Sequence, residues 1–322
     1  MKRRYFIALV GGAVALPLMA RAEQRQKHLI GILSQDLQPG LLETLRDELH
    51  KLGYTEGKDI SIELRNAAGH NERLPSLVEE LLRVNVDVIV AVNTPAAQAA
   101  KRSTDKIPIV MMRVADPVES GLVASLARPG GNVTGLSFMP DALGPKGVEL
   151  FHEIFPKITR MAALYQGNNV GAVFIIDEVQ RKGKQIGLKF ERLPVNSEVE
   201  FAGAFATASL AKSEGLFVMD DGAMTKRRKQ ILELAGKYAL PVVSIYRDFA
   251  ASGGLIAYGP NLDVVYRRAA HYVDKLLRGA SAAALPVEQP MNFYLAVNMK
   301  TAKTLGVTIP QSVLVLADEL IE

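Results

Sequence analysis

The chain has no cysteine. That excludes disulfides, thiolate metal centres and a lipid-modified cysteine anchor. The five histidines, His28, His50, His70, His152 and His271, are scattered with no His-x-x-x-His pair and no metal-ligand spacing, so each reads as a surface or helix-face residue. There is no G-x-S-x-G elbow to present a nucleophile and no G-x-x-x-x-G-K-[ST] loop to cradle a phosphate. Gly130-Gly131 and Gly253-Gly254 read as turns. These absences argue against an enzyme, and nothing calls for a cofactor.

Charge is scarce at the start of the chain. Lys2, Arg3, Arg4 and Arg21 are the only charged residues before Glu23, and they account for the whole formal charge of +4. A chain cleaved after Ala22 is therefore neutral and offers nucleic acid no electrostatic footprint. Residues 1–22 read as an export signal, with a basic start, an apolar middle from Phe6 to Met19 and the small-residue pattern Ala20-Arg21-Ala22. The apolar middle is too short to span a bilayer comfortably. Arg3-Arg4-Tyr5-Phe6-Ile7 resembles the twin-arginine consensus; an ordinary secretory signal that begins with two arginines is the competing reading. Either route delivers a protein that acts in the periplasm without an anchor.

What is present is an alternation of strands and helices. The 322 residues exceed the size at which one core usually stops growing, which favours two lobes. Val86 to Val92 is a near-continuous apolar run, as suits a parallel strand buried on both faces. It stops at Asn93, where Thr94 can serve as N-cap and Pro95 suits a first helical turn. With strands at His28–Ser34, Ile60–Leu64 and Ile107–Val114 and helices between them, the first half reads βαβαβαβ. Handedness then builds a doubly wound parallel sheet. A short helix is expected at Leu122–Leu126 and a fifth strand at Asn132–Met139; Pro140 to Pro145 breaks the pattern, and the same plan starts again. The fold class is therefore α/β, with two Rossmann-like halves.

The strand ends are polar in both halves: Ser34 and Gln35, Asn93 and Thr94, Asp116, Ser137, then Gln166 and Asn168, Asp220 and Asp221, and Arg247 with Asp248. Open α/β sheets bind ligands there, so these residues are the candidate contacts to a small polar molecule. The run Lys226-Arg227-Arg228-Lys229 reads as a solvated helix start, with a docking surface as the sharper alternative.

Long stretches resemble the extracytoplasmic substrate-binding proteins of ABC transporters, in the subgroup that includes aromatic amino acid receptors. They are residues 52–69 (LGYTEGKDISIELRNAAG), 107–138 (IPIVMMRVADPVESGLVASLARPGGNVTGLSF) and the run beginning FAASGGLIAYGP at 249. The resemblance implies a type I periplasmic binding fold with three hinge crossovers near residues 138–140, 249–253 and 285–290. Residues 23–138 plus 250–287 would form lobe 1, and 139–249 plus 288–322 lobe 2. It carries Ser34, Asn93, Thr94, Asp116, Asn168, Asp220 and Asp248 over as ligand contacts, with agreement best at Asn93-Thr94-Pro95, Asp116-Pro117 and Arg247-Asp248. The departures are Gln166-Gly167-Asn168-Asn169 and the proline-free Asp220-Asp221. It also implies a monomer whose partners are a small-molecule ligand and an ABC permease with a cytoplasmic ATPase, the permease being its one contact with the membrane. A ligand sensor of the same fold, docking on a signalling receptor, is the alternative.

Overall fold

The computed structural model describes residues 27–37, 39–219, 221–289 and 292–322. The expected signal over residues 1–22 and the candidate Asp220 lie outside the described residues. The first lobe comprises β1 (His28–Ser34), α1 (Pro39–Lys51), β2 (Ile60–Asn66), α2 (Leu74–Arg83), β3 (Val88–Val92), α3 (Thr94–Ser103), β4 (Ile109–Ala115) and β5 (Val133–Phe138). Its sheet has the order β2-β1-β3-β4-β5, parallel throughout. Every residue of β3 is buried, as its unbroken apolar run requires of a strand covered on both faces. Helix α2 turns Leu74, Leu77, Val78 and Leu81 inward at helical spacing, and each such side chain contributes roughly 1.5–3 kcal/mol by leaving water.

The second lobe runs α4 (Pro140–Ile154), β6 (Arg160–Gln166), α5 (Val170–Gln185), β7 (Lys189–Val195), α6 (Glu200–Leu210), β8 (Leu216–Val218), α7 (Gly222–Lys226), α8 (Arg228–Lys237), β9 (Val242–Ser244), α9 (Arg247–Ala251) and β10 (Ile256–Pro260). The chain then returns to the first lobe for α10 (Leu262–Leu277). It re-enters the second for β11 (Phe293–Asn298), α11 (Met299–Thr304), α12 (Gln311–Leu316) and β12 (Glu319–Ile321). The second sheet has the order β12-β11-β10-β9-β8-β6-β7, with β10 and β11 antiparallel. The two parallel α/β lobes match type I periplasmic binding protein architecture.

Three expectations change. Strand β10 pairs with β9 and β11 in the second sheet, so the chain crosses at Asn261 and not at 249–253, and residues 256–260 belong with the second lobe. Its apolar pattern fits either sheet; long-range pairing chose. Helix α4 begins at Pro140 and runs through Pro145, where a break was expected. Pro140 sits at the start of the helix, where a missing N–H costs nothing. Residues 122–126 form turns instead of a helix: Leu122 and Val123 both donate to the Pro117 carbonyl, and this places their two side chains in the core without a helical turn.

Helix α10 is tied to α1 by Thr44 Oγ1 donating to Asp263 (2.9 Å) and to the segment after α1 by Tyr54 Oη donating to Asp274 (2.9 Å). Past α10, Glu288 joins the end of β5: its N–H reaches the Gly135 carbonyl and its carbonyl accepts from Ser137. Arg268 holds the Glu288 carboxylate with two bonds of 2.6 Å. The hydrogen bond from Arg268, then its charge, keeps this carboxyl below the ordinary carboxylate range against the opposing effect of burial. A lowered folded-state value means stability that is complete above the ordinary carboxylate pKa and lost as pH falls through the folded one. Because both side chains are about two-fifths exposed, Glu288→Gln should cost at most about 1 kcal/mol near neutral pH. Urea melts should show that gap narrowing in acid; a gap independent of pH would assign the cost to packing.

Candidate functional site

The carboxyl ends of strands from both sheets meet where the lobes touch, and the described residues there form a hydrogen-bonded chain of amides. Asn93 Nδ2 donates to Gln35 Oε1 at 3.1 Å. Gln35 Nε2 donates across the lobes to Gln166 Oε1 at the end of β6. Gln166 Nε2 in turn donates to the Gly69 carbonyl of the first lobe at 3.4 Å. All three side chains are buried, so each lost bond would leave an orphaned amide at a cost of about 1–3 kcal/mol. At the rim, Asn71 donates to Asn168 (3.1 Å).

Asn93 is strained. Its φ of +78° and ψ of 159° lie where side chains are rarely found, and its amide makes no helix-capping bond. Thr94, expected as N-cap, is instead the first helical residue, and its hydroxyl accepts from Ala115 N at 3.3 Å. The strain aims the Asn93 side chain at Gln35 when it would otherwise cap its own helix. Asn93→Gly and Asn93→Ala remove the same amide, but only glycine tolerates the backbone. The glycine variant should be the more stable by about 1–2 kcal/mol in denaturant melts, after its larger chain entropy is counted. Equal midpoints would mean that the position is not strained.

The remaining candidates divide. Ser34 and Ser137 are fully buried at the ends of β1 and β5, and neither hydroxyl has a hydrogen-bond partner among the described residues. Asp116 (φ +38°) caps its own turn, accepting from Glu119 N at 2.9 Å, and lines a side cavity of about 360 Å³ with Phe138 and Gln289. Asp248 is half-buried against Arg228 (3.4 Å). Arg247 is exposed and held by Glu319 through Nε at 2.6 Å, and this bond keeps the Glu319 carboxyl low. Both line a second cavity of about 280 Å³ with Tyr246, Asp263 and Tyr294. The structure thus buries Ser34, Gln35, Asn93, Thr94 and Gln166 at strand ends near the contact between the lobes and leaves Asn168 exposed. Arg247 is committed to the C-terminal strand.

Asp221 is buried and accepts from Asn169 Nδ2 (2.9 Å) and from Met224 N (3.3 Å) at the start of α7. The basic run is taken up locally and across the cleft: Arg227 pairs with Glu198, Arg228 with Asp248 and Lys229 with Glu233, while Lys226 reaches the Ala68 carbonyl.

Sequence reasoning missed Arg113, Tyr246 and Asp36. Arg113 is buried on β4, and its Nε donates to Tyr246 Oη at 3.1 Å across the lobes. A single charge inside IVMMRVA was the available signal. Burial pushes the Asp36 carboxyl above its ordinary range, while a hydrogen bond with Asn66 and the charges of Lys226 and Arg113 pull it back. Among the described residues, no group of three acidic, histidine or cysteine side chains could hold a metal ion, and no helix is long and apolar enough to cross a membrane.

Comparison with known proteins bears on this arrangement. The chain is 28% identical over 267 residues to a tyrosine-binding protein of Clostridioides difficile, covering 83% of this chain and 75% of that protein. Among solved structures it is similar to a domain from Streptococcus pneumonia in complex with L-Trp, with a TM-score of 0.85, 26% identity, and coverage of 92% of this chain and 100% of the other. It is also similar to the ligand-free, open form of a substrate binding protein with adhesive properties from Clostridium difficile, at a TM-score of 0.64 and 26% identity over 91% and 99% of the two chains. The model of the family described as ABC transporter substrate binding protein matches residues 29–321. The chain therefore belongs to the ABC transporter substrate-binding protein family, whose members act outside the cytoplasm as solute-binding components of transporters and are not enzymes.

Proposed function

We propose that this protein captures a small polar solute, an amino acid or a related carboxylate, between its lobes in the periplasm and delivers it as a monomer to an ABC permease driven by a cytoplasmic ATPase. The observation that carries the reading is the amide chain from Asn93 through Gln35 to Gln166, because it gives both lobes buried polar groups at the point where they meet. The first turn of α3 beside Asn93 would take an anionic end of the solute. Asp220 or Asp248 would take a cationic end, with Ser34, Thr94, Ser137, Asn168 and Asp116 as further candidate contacts. A solute that touches both lobes favours their approach; one that touches a single lobe does not. At equal identity, the better fit to the tryptophan complex (0.85) than to the open structure (0.64) supports a closed arrangement of the lobes here.

A thermal-shift screen of residues 23–322, stripped of co-purified solute, tests the proposal with amino acids, carboxylates, nucleosides and sugars. A true solute at a hundredfold excess over its dissociation constant should add about 2.7 kcal/mol, and Asn93→Ala or Asp220→Ala should abolish the response. A panel without any response would leave the proposal unsupported.

A further inference from the structure

We infer that the loop at residues 67–71 is a clasp that locks the lobes together at the edge farthest from the hinge, and that Lys226 is its latch. Such a clasp acts on how the lobes are held, whatever solute they hold, and so lies beyond the receptor reading.

Topology sets the place. The loop follows β2, one edge strand of the first sheet, whereas the first crossover follows β5 at the opposite edge. Four strand spacings separate those edges in the order β2-β1-β3-β4-β5, about 19 Å. In the second sheet the crossovers use β10 and β11, while the loop meets the end of β6 and α7, the helix after β8. A contact this far from a hinge moves most when the lobes rotate, so it must break before they part.

The loop is shaped within the first lobe. Ala67 N donates to the Ser34 carbonyl (2.9 Å), Ala68 N to Asn66 Oδ1 (2.9 Å), Gly69 N to the Gln35 carbonyl (2.7 Å) and His70 N to the Ala67 carbonyl (3.1 Å). Ala68 at φ +55° and Gly69 at φ +86° form a left-handed pair, which alanine adopts only at a cost. The carbonyls of this pair take donors from the second lobe. Gln166 Nε2 reaches the Gly69 carbonyl (3.4 Å) and Lys226 Nζ the Ala68 carbonyl (3.5 Å), while Asn71 Nδ2 donates to Asn168 Oδ1 (3.1 Å). Asn168 is itself fixed, its N–H donating to Asn196 Oδ1 at 2.8 Å. A cavity of about 60 Å³ lined by Gly69, His70, Ser197 and Lys226 lies beside these bonds, so polar contacts more than apolar packing hold this edge.

Lys226 carries the charge of the clasp. The other members of its run stay with the second lobe, Arg227 with Glu198, Arg228 with Asp248 and Lys229 with Glu233. Lys226 turns to the first lobe, where its ammonium also acts on Asp36: burial pushes that carboxyl up, and after a hydrogen bond with Asn66 the charge of Lys226 draws it back. One cation of the second lobe thus serves a carbonyl and a carboxylate of the first. A solute between the lobes leaves only when the clasp parts, so the clasp governs release and leaves recognition to the strand ends.

Distances between spin labels read the clasp directly, because the chain has no cysteine and labels attach only where one is introduced. The exposed Arg83 and Lys184, one on each lobe, are the sites, as Arg83→Cys and Lys184→Cys in residues 23–322 stripped of solute. The closed arrangement should dominate the parent. Lys226→Met, which keeps the stem and drops the ammonium, should raise the ratio of separated to closed molecules about fivefold, and Asn71→Ala about threefold. Lys226→Arg should restore the parent distribution, and about 1 M salt should move the parent toward Lys226→Met while leaving that variant where it is. Lys229→Met removes the same charge from a residue that pairs within its own lobe, and it should match the parent. Distributions unchanged in both Lys226→Met and Asn71→Ala, or an effect of Lys229→Met equal to that of Lys226→Met, would overturn the inference. No solute enters the measurement, so a failed clasp leaves the receptor reading standing, and a solute screen without a response leaves the clasp standing.

Discussion

Gly171→Leu should hold the lobes apart and weaken solute binding by roughly two orders of magnitude without unfolding either lobe. Gly171 lies in the first turn of α5, at a place where the second lobe presses on the first. A Cβ there would stand 3.0 Å from Thr94 Cβ, 3.4 Å from Ala115 Cβ and closer still to the Thr94 hydroxyl. Gly222 occupies an equivalent position against Asp36, with a Cβ 2.8 Å from the Asp36 N. These contacts exist only while the lobes are together, so a side chain at 171 penalises the closed arrangement alone. A penalty of about 3 kcal/mol corresponds to a hundredfold or more in apparent affinity. In the separated arrangement the helix gains, since leucine exceeds glycine in helix propensity by nearly 1 kcal/mol. The expected signature is an unchanged or raised melting temperature, a larger radius of gyration in solution scattering and the loss of solute-induced shifts. Gly203→Leu is the control, because a Cβ at 203 meets nothing within 4 Å. Scattering and binding that match the parent would show that the α3–α5 contact is not part of closure.

Gly135→Ala should be the more damaging change to the fold, costing about 3 kcal/mol or more. Gly135 has φ +127°, which non-glycine residues rarely adopt, and a Cβ would stand 2.8 Å from the Met111 N and still nearer the Met111 carbonyl oxygen. The obstacle is backbone in the adjacent strand, which cannot rotate away as a side chain would. Strain and collision act together at a position where β4 and β5 already shift register. For a lobe of this size the loss should lower the melting temperature by roughly 6–12 °C. A variant that melts within a degree or two of the parent would show that the strands separate easily at the bulge.

Much of the architecture follows from local pattern. The unbroken apolar run of β3, the spacing of Leu74, Leu77, Val78 and Leu81 in α2, and the polar residues after each strand all follow from periods of two or 3.6 residues and from turn chemistry. They identify the α/β class and the two halves, and they point to the strand ends as the binding edge. The same reasoning named Gln35, Asn93 and Gln166, which are bonded to one another across the lobes, and Ser34 and Thr94, which are buried nearby. It equally named Asp116 and Arg247, because a polar residue after a strand looks the same whether it caps its own turn, pairs with a distant strand or faces a ligand.

The sequence by itself determined the kind of element at most positions, the absence of cysteine chemistry and the polar residues that follow each strand, since these depend on residues close together in the chain. Tertiary structure decided that β10 joins the second sheet, that Asn93 turns away from its helix toward Gln35, and that Arg113 leaves an apolar strand to meet Tyr246. Each of these depends on partners dozens to more than a hundred residues away or on a positive φ at a non-glycine residue. Local propensity opposes such conformations, and only the packed neighbours hold them in place.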